Sequence, residues 1–201
     1  MSMKDIITKY VKQLVNEGKG GGTITAYHGS EHDNIQGLNA DFMGAGNDTY
    51  GVGMYWSNDP DLARSYGHYI YTAELKLNRI VPMNRRLTDM QIQGFIKQSP
   101  DFERTIENFD ENPNRALHLA VRAMADGGDN AAEQLQCIWY DFYRNYVPDY
   151  IHMISKYFDG TVVPVNNGVI FYIVYNSASL RIINMQTAAE FDAQALQNGV
   201  N

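Results

Sequence analysis

Three side chains able to hold or polarise a ligand stand at revealing positions: His28, Tyr55 and Tyr66. His28-Gly29-Ser30 offers one ligand an imidazole, an approachable backbone and a hydroxyl donor. Tyr55 sits within Gly51-Val-Gly-Met-Tyr-Trp-Ser57, and Tyr66 follows it by eleven residues. Two phenol rings can clamp a flat aromatic group, a contact worth roughly 0.5–1.5 kcal/mol per ring pair. Two tyrosines alone are more often core material. The nearby His-Gly-Ser stretch turns the reading towards a binding cleft.

These groups need elements to hold them. Thr23-Ile-Thr-Ala leads into His28 and reads as a strand over about 23–28. Met54, Tyr55 and Trp56 are large and pleat-friendly, and the two glycines before them admit a ligand or another backbone. Ser57-Asn-Asp-Pro60 reads as a turn into a helix, with Pro60 at its first position and Asn58 or Asp59 as cap. Leu62, Ala63 and Tyr66 then share a helical face, so Tyr55 leaves a strand and Tyr66 the following helix. Residues 31–50 are polar and rich in Gly, Asn and Asp, as in a lid or binding loop, with Phe42-Met43 as an anchor and Asp41 and Asp48 in solvent. From Tyr69 to Leu77 the chain alternates, placing Tyr69, Tyr71, Ala73, Leu75 and Leu77 on one face. Arg79 to Met83 continues as a short edge or bend.

Residues 85–158 change to helical signals. Thr88-Asp-Met-Gln91 is a capping box, and Ser99-Pro100 and Asn112-Pro113 both read as an N-cap followed by proline. Gly127-Gly128 breaks the run, and Asp129 to Tyr146 reads as one long helix with Ala132, Leu135, Ile138, Trp139, Phe142 and Tyr146 inward. Strands return at Thr161–Val165, Val169–Tyr175 and Leu180–Ile183, the first two joined by an Asn166-Asn-Gly168 turn. Thr187-Ala-Ala-Glu190 caps a final helix. At the other end, Ile6, Ile7, Tyr10, Val11, Leu14 and Val15 form an apolar stripe, so residues 1–18 read as an accessory helix before a glycine joint. Residues 19–201 then form one domain with a helical insert at about 85–158, an α+β class.

Composition narrows the function. The chain has 201 residues, 44% hydrophobic and 12% aromatic, enough for a real core. A formal charge of −7 argues against nonspecific binding to nucleic acid or to an anionic membrane. The single cysteine, Cys137, excludes an internal disulfide and a four-cysteine zinc site. His118 and His152 lack partners at ligand spacing, so no metal is expected. No signal peptide or long apolar span is evident, which makes the cytoplasm the expected compartment.

The His-Gly-Ser stretch, the Gly-x-Gly-Met-Tyr-Trp strand, the tyrosine eleven residues later and the closing Tyr172-Ile-Val-Tyr175 together resemble the ADP-ribosyltransferases of the diphtheria toxin and poly(ADP-ribose) polymerase type. The phage-associated polyvalent-protein branch is most similar, which would make a host-cell cytoplasm the setting. The resemblance implies split antiparallel β-sheets, with a helical insert between strands, holding NAD as the substrate. It assigns NAD contacts to His28, Gly29, Ser30, Tyr55, Ser57, Ala63 and Tyr66. His28 would hold a hydroxyl of the adenosine ribose, Gly29 the nicotinamide amide, and the two tyrosines the nicotinamide ring. Nicotinamide would leave through an oxocarbenium-like state and an acceptor would attack, with His28 and Tyr55 in the catalytic set. The acceptor is expected to be a macromolecule, protein rather than nucleic acid given the acidic balance.

One position departs from the family. The residue before Tyr172 is usually the catalytic glutamate, and here it is Phe171. Phenylalanine can neither bond a ribose hydroxyl nor polarise an acceptor, so chain elongation is not expected. Mono-transfer remains open, because members of that family with an apolar residue here can use a carboxylate of the acceptor, and losing a positioned acid or base costs roughly 10²–10⁴ in rate without abolishing chemistry. So does a pocket that binds NAD and transfers nothing. Asp159 is the nearest upstream acid. The first arginine is Arg64, which counts against a tRNA 2′-phosphotransferase, and the Ser-Thr-Ser and Glu-x-Glu motifs of cholera-toxin-like enzymes are absent. An oxidoreductase is disfavoured because Gly51-x-Gly53 precedes a strand and lacks a third glycine.

Overall fold

A computed structural model describes residues 23–40, 43, 49–165 and 168–198. The expected N-terminal helix over 1–18, Asp41, Phe42, Asp48 and the Asn166-Asn167 turn lie outside them. The chain divides into two compact units, one of Met1–Leu38, Tyr55–Asn78 and Val162–Asn201, the other of Asn39–Met54 and Arg79–Thr161.

The class is α+β. Strands β1 (Ile24–Ser30), β2 (Met54–Ser57), β3 (Tyr69–Leu75), β4 (Gly160–Pro164), β5 (Ile170–Val174) and β6 (Leu180–Thr187) form one sheet in the order β4-β5-β2-β1-β3-β6. β1 and β3 pair antiparallel without interruption from Ile24↔Leu75 to Ser30↔Tyr69. β3 and β6 also pair antiparallel, with an irregularity after Thr72. By contrast, β1 and β2 share a single partner pair, Tyr27↔Ser57. The strands are therefore hydrogen-bonded into one sheet, not two separate ones, but β1-β3-β6 joins the remaining strands through this short contact.

In the first unit the expected alternation of β3 holds on one face, where Tyr71, Ala73 and Leu75 are buried across from His28, Ala26 and Ile24. Ile70, on the other face, is also buried. Helices α1 (Pro60–Arg64) and α7 (Ala188–Asn198) both pack on β3, while Thr72 and Glu74, which share the face of Ile70, stay part-exposed. Asp59 caps α1 by accepting from the Asp61 and Leu62 amides, and Pro60 opens the helix as its fixed φ favours. α1 stops at Arg64, so Tyr66 lies just beyond it and is exposed rather than sharing a buried stripe with Leu62 and Ala63.

The second unit is mostly helical: α2 (Asp89–Ile96), α3 (Phe102–Ile106), α4 (Pro113–Asp126), α5 (Ala131–Ile138) and α6 (Val147–Ser155). The Thr88–Gln91 capping box and the Asn112 cap form as their residue types require. Ser99 does not cap a helix beginning at Pro100. Its hydroxyl donates to the Phe142 carbonyl at 2.5 Å, and α3 begins later, at Phe102. The single long helix expected over 129–146 is interrupted: α5 passes into a π-helical turn at Trp139–Tyr143. The extra residue in that turn rotates the chain beyond it, so Phe142 and Tyr143 are both buried and Tyr143, not Tyr146, donates inward, to the Phe95 carbonyl at 2.7 Å. Arg79–Met83 makes only an isolated parallel bridge, Ile80↔Gly160. Beside it the buried Asp159 carboxylate accepts from the Arg79 backbone at 2.9 Å and its guanidinium at 2.7 Å.

Candidate functional site

His28, Gly29, Ser30, Tyr55, Ser57, Ala63, Tyr66 and Phe171 all belong to the first unit. β1 carries His28, Gly29 and Ser30, β2 carries Tyr55 and Ser57, and β5 carries Phe171. β2 lies between β1 and β5 in the sheet, so these three strands are consecutive.

A side chain extends the short backbone pairing of β1 with β2. Beyond Tyr27↔Ser57 the partner register stops, and the His28 imidazole reaches the Tyr55 carbonyl, with Nδ1 2.7 Å from the oxygen. A carbonyl only accepts, so Nδ1 carries the hydrogen and Nε2 of the neutral ring is an acceptor. The ring is flanked by Trp56, with centroids 5.3 Å apart, and by Tyr71 at 6.4 Å. Burial pushes the His28 pKa below its ordinary value, against the smaller opposing effect of the bond to Tyr55. The ring is therefore neutral at neutral pH.

Strand alternation separates the expected groups by face. Tyr55 is two residues from Ser57, the partner of Tyr27, so it shares the face of Tyr27 and Gly29. The Tyr55 ring meets Phe171 edge-on, centroids 5.9 Å apart. His28 instead sits with Trp56 and Tyr71 on the other face and touches Tyr55 only through its carbonyl. The imidazole and the Tyr55 ring thus flank the β1–β2 junction from opposite sides.

Gly29 explains how Tyr66 arrives. A Cβ there would fall 1.8 Å from the Ala63 carbonyl oxygen and 3.0 Å from Tyr66 Cβ. A Cβ on Gly67 would fall 2.2 Å from the Ser30 carbonyl carbon. The two glycines let the end of α1 lie backbone to backbone on β1. Tyr66 consequently stands beside Gly29, 60% exposed, while Ala63 is buried beneath it. Gly29→Ala is expected to destabilise the fold by about 3 kcal/mol or more, because the nearest atom is backbone and cannot rotate away. Denaturant unfolding of the variant measures this, and an unchanged midpoint would contradict the close approach.

The two serines are engaged locally. Ser30 Oγ accepts from the His32 amide at 3.1 Å, and Ser57 Oγ accepts from the Asp59 amide at 3.0 Å. Ser57 is buried and helps form the turn into α1. Sequence reasoning missed the roles of Trp56 and Tyr71. Tyr71 pairs directly across from His28, and its hydroxyl donates to the His32 carbonyl at 2.7 Å and accepts from the Ile35 amide at 3.2 Å. It thereby fastens the chain leaving β1. The alternation of β3 was the available signal, but only the β1–β3 register assigns Tyr71 to His28.

The lowered His28 pKa has a definite sign. Below the ordinary histidine range the unfolded chain binds a proton that the folded chain refuses, so stability is full above that range and falls as pH drops through it. Denaturation midpoints measured over about pH 5 to 8 should fall on the acid side, and His28→Ala should flatten that part of the profile.

Among the described residues no group of His, Cys, Asp and Glu is placed to hold a metal, and no helix is long and apolar enough to cross a membrane. No protein-family model matches the chain, and no curated protein matches it. Among solved structures, an anti-CRISPR protein is similar at 14% identity and a TM-score of 0.34, over 80% of this chain and 96% of that one.

Proposed function

We propose that this protein transfers a single ADP-ribose from NAD to an acceptor and releases nicotinamide. The observation that carries this reading is the state of His28: its Nδ1 hydrogen is committed to Tyr55, which leaves Nε2 to accept a ribose hydroxyl. On the opposite face of the β1–β2 junction, the exposed Tyr66 stands beside Gly29, on the side that carries the Tyr55 ring. Further support comes from the buried Trp56 beside His28, whose indole N–H has no acceptor among the described residues. The short β1–β2 contact agrees with a substrate held where two halves of a sheet part. In the reaction the ribose–nicotinamide bond breaks and nicotinamide departs with the bonding electrons. The acceptor then forms a new bond to the oxocarbenium-like carbon and releases its proton to water. The chain's residues bind and orient, which can supply much of the acceleration. The net charge of −7 favours a protein acceptor over nucleic acid.

A second reading, an NAD-binding module that transfers nothing, is favoured by Phe171. Its ring packs on Tyr55 where the family places a carboxylate. Asp159 does not replace it, since its carboxylate is bound to Arg79.

The test incubates the protein with adenine-labelled NAD and a cell extract, then follows nicotinamide release and label in the protein and nucleic-acid fractions. Nicotinamide release with label on protein is the expected result. Saturable NAD binding without release selects the second reading. No NAD binding at about 1 mM ends both.

A further inference from the structure

The second unit holds a polar cleft of about 190 Å3, lined by none of the residues proposed to hold NAD. One wall comes from α3 and the turn before it, with Asp101, Arg104 and Thr105. The other is the π-helical turn and its exit, with Tyr140, Asp141 and Arg144. A π-helical turn widens the helix to i→i+5 bonding, is rare, and recurs at functional sites. This one buries Phe142, stacked on Phe109 with centroids 6.3 Å apart, and leaves Tyr140 and Asp141 towards the cleft.

The charges of the two walls differ in one respect. Arg104 is paired with Asp101 at 3.4 Å. Arg144 lies over the Tyr140 ring, 5.2 Å from its centroid, and donates to its hydroxyl at 3.2 Å, but no carboxylate pairs with it among the described residues. Asp141 has no ion pair or hydrogen bond among the described residues. Partial burial holds its carboxyl above the ordinary carboxylate range. One uncompensated anion and one uncompensated cation therefore border a small polar cavity. A simple anion would meet Asp141 and a simple cation would meet Arg144. A dinucleotide is too large, since pockets for ligands of drug size run from about 300 Å3 upwards.

We propose that this cleft binds a small zwitterion, a free α-amino acid, with its ammonium on Asp141 and its carboxylate on Arg144. Both contacts are charge-assisted hydrogen bonds, and Arg144 can engage a carboxylate through two nitrogens. The Tyr140 ring beneath the guanidinium holds it in place.

The full-length protein is titrated with each standard L-amino acid by calorimetry. At least one should bind with a Kd below about 1 mM. Its N-acetyl and amide derivatives, each lacking one charge, should bind about tenfold or more weakly. Asp141→Asn and Arg144→Gln should each weaken the amino acid to a similar extent, and circular dichroism checks that both remain folded. The two derivatives on the wild-type protein keep the test decisive if a variant misfolds. Absence of binding by every amino acid at about 10 mM overturns the proposal, as does a derivative that binds as well as its parent.

Discussion

His28→Ala is expected to reduce NAD-dependent nicotinamide release about 100-fold or more while leaving the chain folded. The substitution removes two things. One is the Nδ1 bond to the Tyr55 carbonyl, the side-chain link across the β1–β2 junction. The other is Nε2, the proposed acceptor for a ribose hydroxyl. Losing the first costs about 1 kcal/mol of stability, too little to unfold an ordinary domain. His28→Asn separates the two, because an Asn amide can mimic the Nδ1 donor but has no counterpart to Nε2. It should regain stability without regaining activity. Tyr55→Ala should also abolish release, since it deletes one of the two rings proposed to hold nicotinamide. Nicotinamide release measured alongside unfolding midpoints checks all three variants. If His28→Ala and Tyr55→Ala both retained wild-type rates, the transferase reading would be wrong.

Phe171→Glu should act in the opposite direction. Under the proposed transferase reading, a carboxylate at this position would supply the missing acid, and the expected gain in nicotinamide release is roughly 10²–10⁴-fold. The position is half-buried in an apolar strand, beside the Tyr55 ring at 5.9 Å. The cost is the edge-on aromatic contact, about 1 kcal/mol, plus partial desolvation of the new carboxylate. Phe171→Gln is the control, because it is of similar length but cannot stabilise positive charge developing on the sugar. A gain confined to Glu supports a cleft that binds NAD productively but lacks its acid. No gain with Glu, in a folded variant that still binds NAD, places the missing group elsewhere.

Short-range rules carried much of the local structure in the sequence. Asp59-Pro60, Thr88 to Gln91 and Asn112-Pro113 each start a helix where their side chains can satisfy orphan amides. The alternation from Tyr69 to Leu75 marks a strand with one buried face. Such features depend on residues within one turn or one pleat of each other, and the chain states them directly. The α+β class comes from their succession.

What the sequence could not state depends on distant residues meeting. Ser99 is bound by Phe142 instead of capping a helix, and the π-helical turn arises where tertiary packing draws both Phe142 and Tyr143 inward. Tyr66 lies past the end of α1 at Arg64, and the close approach of the Ala63 backbone to Gly29 sets it beside β1. His28 and Tyr55 were legible as residues of interest, but the faces they occupy were not. A face is set by register between strands, and a shift of one residue exchanges every side chain between the two sides of a sheet. The types of the candidate site residues were therefore readable in order along the chain. Only the pairing of β1 with β2 and β3 decided that His28 would stand between Trp56 and Tyr71, while Tyr55 turned towards Phe171.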